Sequence, residues 1–225
     1  MIERRLLPLP HPTGTGFFLL LLLLAPASVH GQIEGWGVTA GVTSMTGSGE
    51  GLGDVGRTTG FTAGGTVEIG IAGRLSLRPE LLFVRKGWTV SGRTPEGESI
   101  TTTVTLDYLE LPVLADVRLV SVSGVSAHAV AGPTVGLRVR SGTTVEGANV
   151  PVGDPGETLD LTEVGLAVGG SVSAEGGGQT VRLGVRYRRS LTNINEWSEL
   201  SLDGERSSPP FIRNQGLSVS VGVVF

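Results

Sequence analysis
Eight segments of period-two alternation, joined by connections that are long and short in strict turn, leave this chain few ways to fold. Alternation of that kind marks strands with one apolar face, and from Gln32 onward no helical period competes with it. A first segment, near Glu34 to Met45, carries Trp36, Val38, Ala40 and Val42 on its apolar face. A second, near Gly60 to Ala72, carries Phe61, Ala63, Val67, Ile69 and Ile71. A third, near Arg74 to Val90, opens with Leu75, Leu77, Leu81 and Phe83. The fourth, near Thr102 to Val120, has Leu109, Leu111, Val113, Ala115, Val117 and Leu119. The fifth, near Val125 to Arg140, has Val125, Ala127, Ala129, Ala131, Val135, Leu137 and Val139. Val164, Leu166, Val168 and Val172 mark a sixth near Thr158 to Ala174, and Val181, Leu183, Val185 and Tyr187 a seventh near Gln179 to Ser190. The eighth is the last stretch, with Leu217, Val219, Val221, Val223 and Phe225 on one face and Ser218, Ser220, Gly222 and Val224 on the other.

The connections choose among the all-β architectures. Long links at 46–59, 91–101, 141–157 and 191–212 alternate with tight turns around Gly73, at 121–124 and at 176–178. An up-and-down barrel with an even strand number gathers its long loops at one end, and its turns and both termini at the other. A Greek-key sandwich imposes no such order. The expected fold is therefore all-β: an eight-stranded antiparallel up-and-down transmembrane β-barrel, with short turns at one rim and longer loops at the other.

The faces opposite the apolar ones sharpen that expectation. They hold Glu68, Arg78, Glu80, Glu110, Asp116, Arg118, Arg138, Glu163, Arg182 and Arg186, with Arg188 beyond them. In a membrane barrel these residues share a confined polar lumen, which eight strands leave just wide enough for side chains to fill. Charges there must be paired and hydrogen-bonded, and the mixed signs permit it. The alternative is a soluble lipocalin-like barrel binding an apolar ligand in the periplasm or outside the cell, with the same charges merely solvated. Pro79, Pro112 and Pro133 fall inside strands and are expected at bulges. Trp36 and Phe225 at the turn end, and Phe61 and Trp88 at the loop end, are expected to form two interfacial belts.

The amino terminus sets the compartment. Arg4 and Arg5, the apolar run from Phe17 to Ala25 and the small residues before Gln32 have the layout of a cleaved signal peptide over residues 1–31. That apolar run is about half of the roughly 20 residues a spanning helix needs. Residues 32–225 then make one barrel domain, exported to the cell outer membrane. The chain has no cysteine, so disulfides and thiolate metal sites are excluded. A net charge of −4 argues against a nucleic-acid partner.

The terminal strand, ending on Phe225, resembles the C-terminal strand of bacterial outer-membrane barrels, where such a strand is read by the insertion machinery. Leu217, Val219, Val221, Val223 and Phe225 would be that signal. The segments Arg78-Pro-Glu-Leu-Leu-Phe-Val-Arg-Lys-Gly87 and Leu106-Asp-Tyr-Leu-Glu-Leu-Pro-Val113 are similar to the paired third and fourth strands of the PorT-like outer-membrane β-barrel family. Gly132-Pro133, Arg186-Tyr187 and Asn214 follow the same pattern in order. The resemblance implies an eight-stranded outer-membrane barrel, some of whose relatives serve secretion or gliding machinery.

Signals for chemistry are thin. If His11 and His30 leave with the signal, any Ser-His-Asp triad must be built on His128, which is expected in the lumen near a short turn as a packing or hydrogen-bonding residue. Gly51-Leu-Gly-Asp-Val-Gly56 fits G-x-G-x-x-G but has no following helix. Glu80 and Glu110 are expected as structural ion-pair partners rather than an acid–base pair. No cofactor or metal is expected. The long links lean acidic, with Glu50, Asp54, Glu96, Glu98, Glu146, Asp154, Glu157, Glu196, Glu199, Asp203 and Glu205 against Arg57, Arg93 and Arg206. The expected function is a non-enzymatic outer-membrane barrel with a structural or interaction role through its loops. Its expected partners are outer-membrane lipid and lipopolysaccharide, the barrel-insertion machinery and an unknown protein at the loops.

Overall fold
The structure is a computed structural model that describes residues 31–48, 55–93, 97–147, 160–193 and 213–225. The leader expected over residues 1–31, except Gly31, lies outside the described residues, as do most of the long links. Eight strands follow in order: β1 (Gln32–Ser48), β2 (Val55–Ala72), β3 (Leu75–Arg93), β4 (Ser99–Val122), β5 (Val125–Glu146), β6 (Thr162–Gly176), β7 (Gln179–Ser190) and β8 (Arg213–Val224). Each pairs antiparallel with its neighbours, and β8 returns to β1, so the ring is closed. Closure leaves the ring without an edge strand, which a sheet in hydrocarbon requires. Two of the tight turns run through consecutive positive-φ residues, Ser123-Gly124 and Gly177-Gly178, the backbone that matches strand twist in two-residue hairpins.

The sense of the faces follows from exposure. Leu217, Val219, Val221 and Phe225 are 45%, 45%, 52% and 46% exposed, while Ser218 between them is buried. Leu81, Leu111, Val168 and Leu183 look outward in the same way, and Arg78, Glu80, Glu110 and Glu163 are buried inside. The apolar faces therefore look out and the charged faces look in. This overturns the lipocalin-like alternative, whose interior would have to be apolar.

Two expectations are corrected. The prolines do not sit at bulges: Pro79 stands opposite Val113, Pro112 opposite Thr134 and Pro133 opposite Leu166, all in unshifted register. Each gives up the ladder bond its missing N–H would have made. The register shifts lie elsewhere, between Ile33 and Gly35, Arg57 and Thr62, Gly70 and Ala72, Asp107 and Tyr108, and Arg118 and Val120. Trp88 is not an outward belt residue either. It has the parity of Arg78, Glu80 and Lys86, and is buried in the lumen at 5% exposure. The outer aromatic contacts are Trp36 stacked on Phe225 at 4.9 Å near the turn end, and Phe61 stacked on Phe83 at 5.4 Å. Just beyond the second pair, the Arg85 guanidinium lies 5.2 Å over the Phe61 ring and holds Asp107 through two hydrogen bonds of 2.7 and 2.9 Å.

Strand lengths are uneven. β4 and β5 have 24 and 22 residues, against 12 each in β7 and β8. A tilted strand needs about 10 residues to cross the apolar band, so the β4–β5 hairpin continues well past it at the loop end. That excess is rich in threonine, at Thr101, Thr102, Thr103, Thr105, Thr143 and Thr144.

Candidate functional site
The interior is the candidate site, and it changes character along the axis. At the loop end Trp88, Val104, Leu106 and Tyr108 form one buried apolar cluster, with Val55 and Val90 against it. Met45, Leu82 and Val84 form a second cluster, and Leu114, Val130 and Ala167 a third. Small residues make room for the aromatics. A Cβ on Gly47 would stand 3.3 Å from the Trp88 ring, and one on Gly136 would stand 3.1 Å from the Tyr108 ring.

Beneath this plug the charges fall into two groups whose signs balance. Lys86 Nζ donates to Glu163 Oε1 at 2.6 Å and lies 2.8 Å from Glu110 Oε2. Arg188 Nε is 3.1 Å from Glu110 Oε1, and Asn214 Nδ2 donates to Glu163 Oε2 at 2.7 Å. The Lys86 ammonium also rests 4.7 Å over the Tyr108 ring. Two cations thus meet two carboxylates, all of them buried. Nearer the turn end, Arg186 grips Glu80 through both oxygens, and Arg78 Nε is 3.2 Å from Glu80 Oε1. Arg78 Nη1 donates to Asp116 Oδ2 at 2.8 Å, and Arg182 Nη1 reaches the same oxygen at 3.5 Å while hydrogen-bonding Glu68. Three guanidiniums there meet three carboxylates. Bidentate, charge-assisted contacts of this kind are what make buried ions tolerable.

The residues expected in the lumen are thus placed as follows. Glu68, Arg78, Glu80, Asp116, Arg182 and Arg186 come together in one group, and Glu110 and Glu163 in the other. Arg138 is buried on β5 across from Tyr108. Arg118 is corrected in part: it lines the turn-end chamber as expected, but it is exposed and its Nη2 donates to the Gly73 carbonyl at 3.4 Å instead of joining either ion group. The ion-pair partners of Glu110 are Lys86 and Arg188. Lys86 was missed by sequence reasoning although it shares the parity of Arg78 and Glu80. Apolar Leu82 and Val84 stand between them on the same face and hide the pattern.

Cavities follow the same division. Along the middle of the lumen they measure only 30 and 10 Å³, room for single waters. At the turn end a polar chamber of 270 Å³ opens beside Phe225 and Gly178, lined by Glu34, Arg74, Asp116, His128, Ser173 and Arg182. His128 therefore does face the lumen beside a short turn. Its Nδ1 lies 2.8 Å from Asp116 Oδ1 and its Nε2 lies 3.0 Å from Ser173 Oγ. Among the described residues no three metal-ligating side chains come together. Of the G-x-G-x-x-G stretch only Val55 and Gly56 are described, and both are in β2. Of the acidic link residues only Glu98 and Glu146 lie among the described residues.

Residues 32–196 match a family model described as outer membrane protein beta-barrel domain. No curated protein sequence matches the chain. Among solved structures the chain is similar to Neisserial surface protein A (NspA), with 16% identity and a TM-score of 0.45 over 84% of this chain and 97% of that one. It is also similar to OprG from Pseudomonas aeruginosa, with 11% identity and a TM-score of 0.43 over 88% and 99% of the two chains. The attachment invasion locus protein Ail of Yersinia pestis gives 11% identity and a TM-score of 0.41 over 86% and 100%. At such identities and scores the likeness carries no function across.

Proposed function
The chain belongs to the outer membrane protein beta-barrel domain family and resides in the cell outer membrane, and from that premise we propose that it is a closed barrel acting through its loop end as a structural or interaction protein. The observation behind this reading is the packing of the lumen: Trp88, Tyr108 and Leu106 fill the loop end, and balanced ion groups fill the middle. A barrel so filled is not built to pass solutes. What differs from a minimal barrel is the threonine-rich extension of β4 and β5, together with the long acidic links, so the partner-facing surface belongs there. In this role the loop end works without chemistry. Its surroundings would be lipid and lipopolysaccharide, and a protein with a basic surface suits the acidic links. The outward row of Leu217, Val219, Val221, Val223 and Phe225 would serve the insertion machinery. Within the family, the Tyr108-Leu-Glu110-x-Pro112 segment, buried inside the barrel at Tyr108, Glu110 and Pro112, favours kinship with PorT-like barrels.

The absence of cysteine allows a direct test. In whole cells Glu146→Cys should react with a membrane-impermeant maleimide, while Gln179→Cys at the turn end should react only after lysis. Purified barrel in a planar bilayer should show no steady conductance. Open-pore currents, or labelling with the reverse sidedness, would overturn the reading.

A further inference from the structure
The three groups around the turn-end chamber stand in an order that ion pairing does not require. Asp116 on β4, His128 on β5 and Ser173 on β6 point inward from consecutive strands, with Nδ1–Oδ1 at 2.8 Å and Nε2–Oγ at 3.0 Å. Asp116 is fixed from its other oxygen by Arg78 at 2.8 Å, so its carboxylate has one free direction, toward the imidazole. A carboxylate at Nδ1 holds the proton on that nitrogen and leaves Nε2 to accept from the serine hydroxyl. Ser173 and Arg182 are directly opposite in the β6–β7 ladder, and the buried Arg182 Nε has no hydrogen-bond partner. An unused donor beside a serine paired to a histidine is where an oxyanion would be held.

We infer that Ser173 and His128, with Asp116 as positioning residue, form a nucleophilic centre that hydrolyses small carboxylic esters entering the chamber from the turn end. Ser173 Oγ bonds to the ester carbonyl carbon as its proton passes to His128 Nε2, and Arg182 Nε–H stabilises the resulting oxyanion. Collapse breaks the ester C–O bond, and His128 returns the proton to the departing alcohol, leaving an acyl-Ser173. Water, deprotonated by the same Nε2, then releases the carboxylic acid and restores the serine hydroxyl. The chamber of 270 Å³ has room for a short acyl group. Its turn-end mouth faces the periplasm in barrels of this kind. The activity is independent of the loop-end role, so either can fail without the other.

The test uses the full chain folded in detergent and an alkyl fluorophosphonate, whose P–F bond is exchanged for a P–O bond to an activated serine. Mass spectrometry should find one adduct, on Ser173. Ser126 is a chamber serine hydrogen-bonded to Ser121 instead of His128, and it should stay unmodified. His128→Ala should slow labelling by about 100-fold or more, and Ser173→Ala should abolish both labelling and hydrolysis of p-nitrophenyl acetate. Asp116→Asn should slow labelling and move the His128 proton from Nδ1 to Nε2 in ¹⁵N spectra, which lost packing alone would not do. A wild type that is folded by its heat-modifiable gel mobility yet takes no adduct at Ser173 overturns the inference. So does labelling that His128→Ala leaves unchanged.

Discussion

The two ends of the lumen solve the same problem with different materials. At the loop end the interior is closed by apolar volume, with Trp88, Val104, Leu106 and Tyr108 in contact. At the turn end it is held by Glu68, Asp116, Arg78 and Arg182 around a polar chamber of 270 Å³. Between them lies the fully buried group of Lys86, Glu110, Glu163, Arg188 and Asn214. Apolar packing costs nothing to desolvate but offers no chemistry. Of the charges beside the chamber, Arg78 and Asp116 are buried, while Glu68 and Arg182 are only part-buried. The difference teaches that a narrow barrel can be filled with apolar volume at one rim and keep a polar chamber at the other.

The comparison breaks most visibly in the middle group. Glu110→Ala removes the carboxylate shared by Lys86 and Arg188 and leaves cations buried, so it should cost about 3–5 kcal/mol, read as an earlier urea midpoint in detergent. An undiminished midpoint would show that the middle is wetter than its burial implies. Trp88→Ala should cost about 3–4 kcal/mol as a large buried side chain lost from the plug, and should add a steady bilayer conductance if the plug is the seal. On the outer face, Leu183→Arg in mid-band should cost about 2–4 kcal/mol, whereas Ser44→Arg near the loop-end edge should cost at most about 1 kcal/mol; equal losses would place the band wrongly. Glu68→Ala should be mildest, about 1 kcal/mol, because its partner Arg182 keeps Asp116 and the chamber lets water in. A loss as large as that of Glu110→Ala would erase the distinction between the two ion groups.

Much of the scaffold was legible before any coordinates. Period-two alternation located all eight strands, and the alternating connection lengths gave their up-and-down order. Strand parity placed Glu80, Glu110 and Arg182 inside, because a side-chain period of two sorts a residue to one face wherever the register is unbroken. The same rule would have placed Lys86 and Trp88, but apolar neighbours on the inward face broke the visual pattern and a position near the loop suggested a belt. The prolines were misread because a bulge is only one way to live without an N–H. Ser173 carried no signal at all: it is one serine among many on an inward face.

What the sequence determined by itself is therefore the ring: its strand count, its order, and the outward sense of Leu217, Val219 and Phe225. Those properties are local, set by alternation along each strand and by the length of the links. What only the tertiary structure decided is which lumen groups meet. Lys86 reaches Glu163 across 77 positions, Arg186 reaches Glu80 across 106, and His128 reaches Ser173 across 45. Such pairings depend on the tilt and stagger with which the sheet closes on itself, a property of all eight strands together that no single stretch encodes.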